Sequence, residues 1–503
     1  MTLLADVVTA SGLVGETSSR SRKVAILAEL LRRLDADEVP ICVGFLSGVP
    51  RQGRVGVGYA TAYAIHPEPA QHASLTVTDV DRAIDEIERA TGPGSVAARA
   101  ALLVELLGRA TPPEAAFLRR LFTGELRQGA LAGVMADAIA RAAGVPGEIA
   151  RRALMLSGDL ARMAQIAMAG GEEGLRRVGF EIFRPILPML ASTGAGVAAA
   201  MAGFERSSVE WKLDGIRIQI HRRDAEVRIY TRNLNELTAT LPGIVEAALG
   251  LPVRQAVLDG EALWMRDGGP AAFQDTVSQI DRDAPPEGIV TFLFDLLHVD
   301  GEDLLDAPMT ERLVRLRTIA AELTIPGVLT VDPVEGQRVL DESLAAGHEG
   351  VVVKDAASPY AAGRRGGAWR KVKPVRTYDL VVLGAEWGHG RRQGWLSNLH
   401  LGARDAGSGG FVMVGKTFKG LTDALLRWQM EALLALETSR RGIAVIVRPE
   451  LVVEIALDGV QCSTRYPGGI ALRFARVKRY RPDKDAGEAD TIDELRALLP
   501  GRS

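Results

Sequence analysis

Residues 208–223 read SVEWKLDGIRIQIHRR, and the reading of this chain turns on Lys212 within them. Two strand-like runs flank the Asp214-Gly215 turn, and the lysine stands in the first run rather than on a polar face. Period-two alternation sends Glu210, Lys212 and Asp214 to one side and Trp211 and Leu213 to the other. The stretch therefore projects acid, lysine and acid into one space while its apolar neighbours pack. A lysine in an apolar frame can act as a nucleophile, because desolvation disfavours the ammonium and releases the amine. A structural ion pair with a nearby carboxylate is the competing reading, and this segment alone does not separate the two.

Three more stretches in the same block set acids beside strand-like runs. LDGEAL (258–263) places Asp259 and Glu261 on one strand face, and HEGVVVKD (348–355) puts Glu349 at the mouth of a valine run. FLFDLLHVDG (292–301) carries Phe294 and Asp295 where a strand emerges. One acid beside a strand is ordinarily a turn residue. Three such sites with a lysine make an oxygen-rich cage suited to Mg²⁺ and a nucleotide. Arg217 and Arg232 add guanidinium groups matched to phosphate or ribose oxygens. Phe294 offers a ring on which a base can stack, although core packing is the commoner fate of a phenylalanine.

The whole chain has 503 residues, too many for one core, with 47% apolar and 24% charged residues, as in globular proteins. No apolar run approaches ~20 residues, so no membrane span is expected. The first residues have the wrong charge polarity for a signal peptide. Two cysteines, Cys42 and Cys462, exclude a disulfide framework and a four-cysteine zinc module and fit the cytoplasm. Net charge is only −3, yet Arg465–Lys484 holds seven basic residues against Asp483, and residues 364–376 hold six with no acid. Such clusters suit phosphates, or a solvated basic face.

The architecture expected is multidomain. Residues 1–185 read as an all-α domain, with helices in 78–94, 95–110 (N-cap Ser95) and 123–145, the last carrying Leu131, Val134, Met135, Ala138 and Ile139 at helical spacing. Residues 186–375 read as an α+β domain, and the prolines at 185 and 188 mark its start. Residues 376–503 read as five short strands and one helix, a partly open β-barrel of the OB type.

In order, EWKLDGIR, LDGEAL, FLFDLL, EGVVVK, WRKVKP and RFARVKRYRPDK span about 275 residues and resemble the nucleotidyltransferase signature of ATP-dependent DNA ligases. K-x-D-G alone is weak, and six motifs in the family's order are strong. The helical region with FTGELRQGA resembles the ligase DNA-binding domain, and the C-terminal strands resemble its OB-fold domain, so the likeness covers the chain in the manner of the bacterial three-domain enzymes. It implies that Lys212 is adenylated by ATP, that Glu210 helps recognise adenine, and that Arg217 and Arg232 contact ribose and phosphate. It implies Glu261 and Glu349 for ribose and the catalytic metal (Mg²⁺, with Mn²⁺ as the alternative), and Phe294 stacked on adenine. Lys371 and Lys373 would hold the α-phosphate with Arg365 upstream, and Arg473, Arg476, Asp483 and Lys484 would orient the leaving pyrophosphate. The partner implied is nicked double-stranded DNA, bound through its phosphates by a monomer in the cytoplasm, in repair, recombination or replication. Arg370 departs from the family pattern, which has an aliphatic residue there, and its role stays open. A capping guanylyltransferase would not need so long a helical region before the lysine, an RNA ligase is the nearer rival on substrate, and an NAD-dependent ligase would carry a four-cysteine zinc site.

Overall fold

The computed structural model describes residues 1–53, 55–126, 132–266, 269–271, 288–361, 365–388 and 392–499. They divide into two compact units, Met1–Asp267 with Phe273–Val372, and Gly268–Ala272 with Lys373–Ser503. Among the described residues, no helix is long and apolar enough to cross a membrane.

Among the described residues, the first unit begins with ten helical segments between Leu4 and Arg176. Helix Val77–Arg89 buries Val77, Val80, Ile84 and Ile87 along one stripe, and Thr76 and Asp79 close a reciprocal capping box at its start. Helix Ala132–Ala143 buries Val134, Met135, Ala138 and Ile139 as their spacing requires, while Leu131 lies outside the described residues. Helix Ser95–Gly108 corrects one expectation: Ser95 is its first helical residue, and the cap is Gly94 at φ +85°. The Gly92-Pro93-Gly94 turn sets this, since Ser95 N–H donates to the Gly92 carbonyl at 3.2 Å. Of the expected GELRQGA turn, residues 127–130 lie outside the described residues.

Beyond Arg176 the same unit builds two sheets. The first orders strands Leu190–Thr193, Arg365–Val372, Gly350–Asp355, Ser207–Lys212 and Gly327–Thr330 side by side. The second contains Glu226–Thr231, Ile216–Arg223, Gln255–Arg266 and Ile289–Val299 in that spatial order. The chain passes from the first sheet to the second through Leu213-Asp214-Gly215. At Gly215 a Cβ would stand 2.3 Å from the Ala262 carbonyl, so the turn of the K-x-D-G stretch tolerates glycine alone. Met155 and Leu156, from the helical region, join Ile186, Met189, Leu213, Phe294 and Trp369 in one buried cluster. The segment after the helices is strapped to the second sheet by buried side chains. Phe183 N–H donates to His221 Nδ1 at 3.0 Å, Ile186 N–H to Gln219 Oε1 at 2.9 Å, and Tyr230 Oη to the Phe183 carbonyl at 2.9 Å.

The second unit is a curled sheet on which helix Asp423–Ala435 and the short helix Ile492–Arg496 pack. The long strand Arg376–Trp387 pairs with Val452–Leu457 along its first half and with Ala444–Val447 along its second. Leu396–Asp405 and Gly410–Thr417 continue on the other edge, and Val477 N–H donates to the Lys419 carbonyl at 2.9 Å, bending the sheet toward closure. Two details differ from the sequence reading. Hairpin Glu437–Arg441 with Ala444–Val447 adds two strands to the sheet, because backbone pairing forms a strand even where TSRR lacks apolar alternation. ALRFARVKRY is not one strand: Phe474, at φ +53°, divides it into Ile470–Arg473 and Arg476–Tyr480.

Candidate active site

The floor of the site is a face of the first sheet. Period two puts Ser208, Glu210 and Lys212 on that face. In register across from them, Lys354 pairs with Ser208, Val352 with Glu210 and Gly350 with Lys212. On the next strand Trp369 pairs with Lys354 and Lys371 with Val352. These residues and the facing second sheet bound a cleft of about 570 Å³. Seven of the residues singled out above line it: Glu210, Lys212, Arg217, Arg232, Glu261, Phe294 and Lys371.

Lys212 closes its strand and is ion-paired through Nζ with Glu349, both side chains being about one-fifth exposed at 22% and 21%. The Glu349 N–H also donates to the Lys212 carbonyl at 3.0 Å, so backbone and side chain fix the pair together. Glu261, opposite, accepts from the Gly215 N–H at 3.2 Å. Burial pushes its carboxyl up to about 7, against the pull of the charges on Lys212 and Arg217.

Glu210 is buried, with Oε2 bonded to Lys354 Nζ at 2.5 Å and Oε1 accepting from the Ser208 hydroxyl at 2.7 Å. Lys354 also donates to the Phe294 carbonyl at 2.9 Å and lies over the rings of Phe294 and Trp369, 4.8 and 4.5 Å from their centroids. Arg217 grips Asp259 with Nε at 3.0 Å and Nη2 at 2.6 Å, and its Nη1 donates to the Met189 carbonyl at 2.6 Å. Burial works against its charged form, but the Asp259 carboxylate wins and raises its pKa. Arg217 Nη2 also donates to the Tyr360 hydroxyl at 3.4 Å, so four of its five donors are committed to protein and one is left for a ligand. Tyr360 completes this buried network, donating to Asp259 Oδ2 at 2.7 Å and accepting from the Met189 N–H at 3.0 Å. Below it, Arg312 and Asp295 form a fully buried pair at 2.7 and 3.0 Å.

The remaining residues singled out are placed as follows. Arg365 opens its strand, and its side chain lies outside the described residues. Arg370 points away from Lys371: its Nη1 donates to the carbonyls of Ala200 and Ala202, both at 2.8 Å, and its guanidinium lies 4.1 Å from the Phe204 ring centroid. It holds the end of helix Val197–Met201, which answers the question its sequence position raised. Lys373, Arg473, Arg476, Asp483 and Lys484 belong to the second unit. There Lys373 pairs with Asp458 at 2.5 Å, Asp483 with Arg481 at 2.6 Å, and Lys484 with Asp379 at 2.7 Å. The hydrogen bonds from Arg481 hold Asp483 down at about 2.

Lys354, Tyr360, Trp369 and Arg481 carry no role in the sequence reading. Lys354 left a trace: a lysine closing a run of valines in EGVVVKD is out of place unless a buried acid faces it. Among the described residues, no three His, Cys, Asp or Glu side chains gather around a metal position. The two carboxylates Glu261 and Glu349 still fit Mg²⁺, which is commonly held by one or two carboxylates and completed by substrate phosphates and water.

Three family models match the chain: one described as DNA ligase N terminus over residues 55–140, one as ATP dependent DNA ligase domain over 188–373, and one as ATP dependent DNA ligase C terminal region over 392–484. A protein of Saccharopolyspora erythraea named "Probable DNA ligase" is 55% identical over 500 residues, covering 99% of this chain and 98% of its own. One of Rhodococcus opacus with the same name is 53% identical over 502 residues, covering 99% and 100%. A solved structure named "Pmar-Lig_Pre." covers 95% of this chain and 99% of its own at TM-score 0.65 and 20% identity, a likeness of fold.

Proposed function

The chain belongs to the ATP-dependent DNA ligase family, and we propose that it seals nicks in duplex DNA through a covalent adenylate on Lys212. The observation that carries this reading is convergence. Residues from five motifs spread over 210–371, each weak by itself, line one cleft with the Lys212 amine at its floor.

In the first step the Nζ lone pair attacks the α-phosphorus of ATP, the bond to the β-phosphate oxygen breaks, and pyrophosphate leaves. AMP stays on Lys212 as a phosphoramidate. Attack needs a free lone pair on Nζ, so one proton must leave the amine first, and the carboxylate of Glu349 in contact with it is placed to take that proton. Glu261 and Glu349 would hold Mg²⁺, or Mn²⁺, which would neutralise charge on the phosphates. Lys371 faces the same space with a cation for the α-phosphate, and Arg217 and Arg232 offer donors to ribose and phosphate oxygens. Glu210 accepts from an adenine amino group, and the Phe294 ring stacks on the base. In the second step the 5′-phosphate of the nick displaces Lys212 from the AMP phosphorus. In the third the 3′-hydroxyl attacks the activated 5′-phosphate and AMP leaves. Positioning and charge neutralisation supply most of the rate in such transfers.

Under this reading residues 1–185 form the DNA-binding domain, 186–375 the adenylation domain and 376–503 the OB-fold domain. Lys373 joins Lys371 and Arg365 at the α-phosphate, and Arg473, Arg476, Asp483 and Lys484 serve the leaving pyrophosphate. The enzyme acts as a monomer in the cytoplasm, gripping phosphates without reading sequence. The test is joining of a labelled nicked duplex. ATP with Mg²⁺ should seal nicked DNA and NAD should not. No joining of DNA, or joining of nicked RNA alone, would overturn the proposal.

A further inference from the structure

Asp379 lies near the start of strand Arg376–Trp387 and is 7% exposed. Its Oδ2 accepts from Arg481 Nη1 at 2.9 Å and from Lys484 Nζ at 2.7 Å. Its Oδ1 is buried with no hydrogen-bond partner. A buried carboxylate with one bare oxygen is costly, so the two cations on the other oxygen are what keep it in place. The turn that bears them is otherwise well fastened. Arg481 N–H donates to the Val452 carbonyl at 2.9 Å, and Lys484 N–H to the Arg481 carbonyl at 3.1 Å. The Arg481 guanidinium forks onto Asp483 through Nε at 2.9 Å and Nη2 at 2.6 Å, leaving Nη1 for Asp379. Asp379 is itself held in place, since its N–H donates to Asp490 Oδ2 at 2.6 Å and its carbonyl accepts from the Asp490 N–H at 2.9 Å.

We infer that Asp379 is the positioning residue for the Arg481–Lys484 turn, setting the Lys484 amine that serves the leaving pyrophosphate. This rests on the role proposed above for Lys484. The geometry separates three tasks within the turn. Asp483, exposed, neutralises and orients Arg481. Arg481 spans from Asp483 to Asp379. Asp379 then holds one of the three Lys484 N–H groups and leaves the others for phosphate oxygens. Without the Asp379 charge, two cations that shared one oxygen repel each other, and the turn loses its only described side-chain anchor to the long strand.

The test uses the full-length chain and the isosteric variant Asp379→Asn, read in three assays: self-adenylation from labelled ATP, the reverse reaction that returns ATP when pyrophosphate is added to adenylated enzyme, and joining of a duplex whose nick already carries 5′-AMP. A displaced cation can cost on the order of 10²-fold in rate, so adenylation should fall by about tenfold to a hundredfold, with a raised KM for pyrophosphate. Joining of the pre-adenylated nick should stay within about twofold, which an effect on folding would not allow. Asp379→Glu should recover part of the loss, and Asp379→Asn should add little to Lys484→Ala. Adenylation unchanged in Asp379→Asn while Lys484→Ala impairs it would overturn the inference and leave the role of Lys484 standing. Equal losses in adenylation and in joining would overturn it by reducing Asp379 to a structural part. Unimpaired adenylation in Lys484→Ala would instead remove the premise, and the inference with it.

Discussion

Lys354→Met is the perturbation whose cost follows most directly from the structure. The Lys354 side chain is 2% exposed and its partner Glu210 3% exposed. Removing the ammonium leaves the Glu210 carboxylate buried with the Ser208 hydroxyl as its remaining donor, and strips a charged donor from the Phe294 carbonyl. Breaking one side of a buried ion pair costs about 3–5 kcal/mol. A whole unit has a stability of only about 5–15 kcal/mol, so the variant should be severely weakened. Replacing both partners is different, since apolar pairs of similar volume are commonly neutral or better. Lys354→Met combined with Glu210→Leu should therefore recover most of the loss, giving a coupling of at least about 2 kcal/mol in a double-mutant cycle. Urea unfolding of the full chain, followed by tryptophan fluorescence, reads the stability, and self-adenylation reads the site. Stability should return in the double variant while ATP use stays impaired, if Glu210 is the acceptor for the base as proposed. A single variant within about 1 kcal/mol of wild type, or strictly additive losses, would refute the reasoning.

Other expectations test other parts of the account. Tyr360→Phe leaves the Met189 N–H without its acceptor and takes a donor from Asp259, so stability should fall by about 1–3 kcal/mol and the KM for ATP should rise through Arg217; an unchanged KM would detach Tyr360 from the site. Burial, with the charge of His298 adding to it, holds His221 down at about 3, and its Nδ1 accepts from the Phe183 N–H. Its folded pKa lies below its ordinary value of 6.5, so its contribution is complete above pH 6.5. It is lost by roughly 1.4 kcal/mol per unit as pH falls toward 3. His221→Leu should flatten that slope by one proton, and parallel pH profiles would contradict the assignment. Arg370→Leu removes contacts to the Ala200 and Ala202 carbonyls on the side away from the cleft, so stability should drop by about 1–2 kcal/mol with adenylation within a few-fold of wild type. Loss of adenylation without loss of stability would place Arg370 in the site after all.

The parts of the site legible in the sequence are those fixed by local periodicity. Alternation put Glu210 and Lys212 on one strand face, and the structure keeps them there. The Asp259 and Glu261 pair was legible in the same way, but not its division of labour: Asp259 is consumed by Arg217 and Tyr360, while Glu261 faces the cleft. That division depends on Tyr360, 101 residues away, which no local pattern can bring to Asp259. Family resemblance implies Glu349 as a carboxylate for a metal, and the structure adds its bond to Lys212 across 137 residues. The helix expected over 78–94 was legible from its apolar stripe, but its cap, Thr76, lies upstream of that stretch. The boundary slipped at Ser95, where a glycine turn outranks a serine as the start of the helix. In the second unit the apolar strands were readable, and the hairpin carrying TSRR was not, because its pairing comes from the backbone alone.

The measurement closest to the central claim is peptide mapping of the purified enzyme after incubation with α-labelled ATP and Mg²⁺. One AMP per chain should be found on Lys212, stable to base and labile to acid, and absent from Lys212→Ala. Label on another residue, or none on wild-type protein that still joins DNA, would contradict the account.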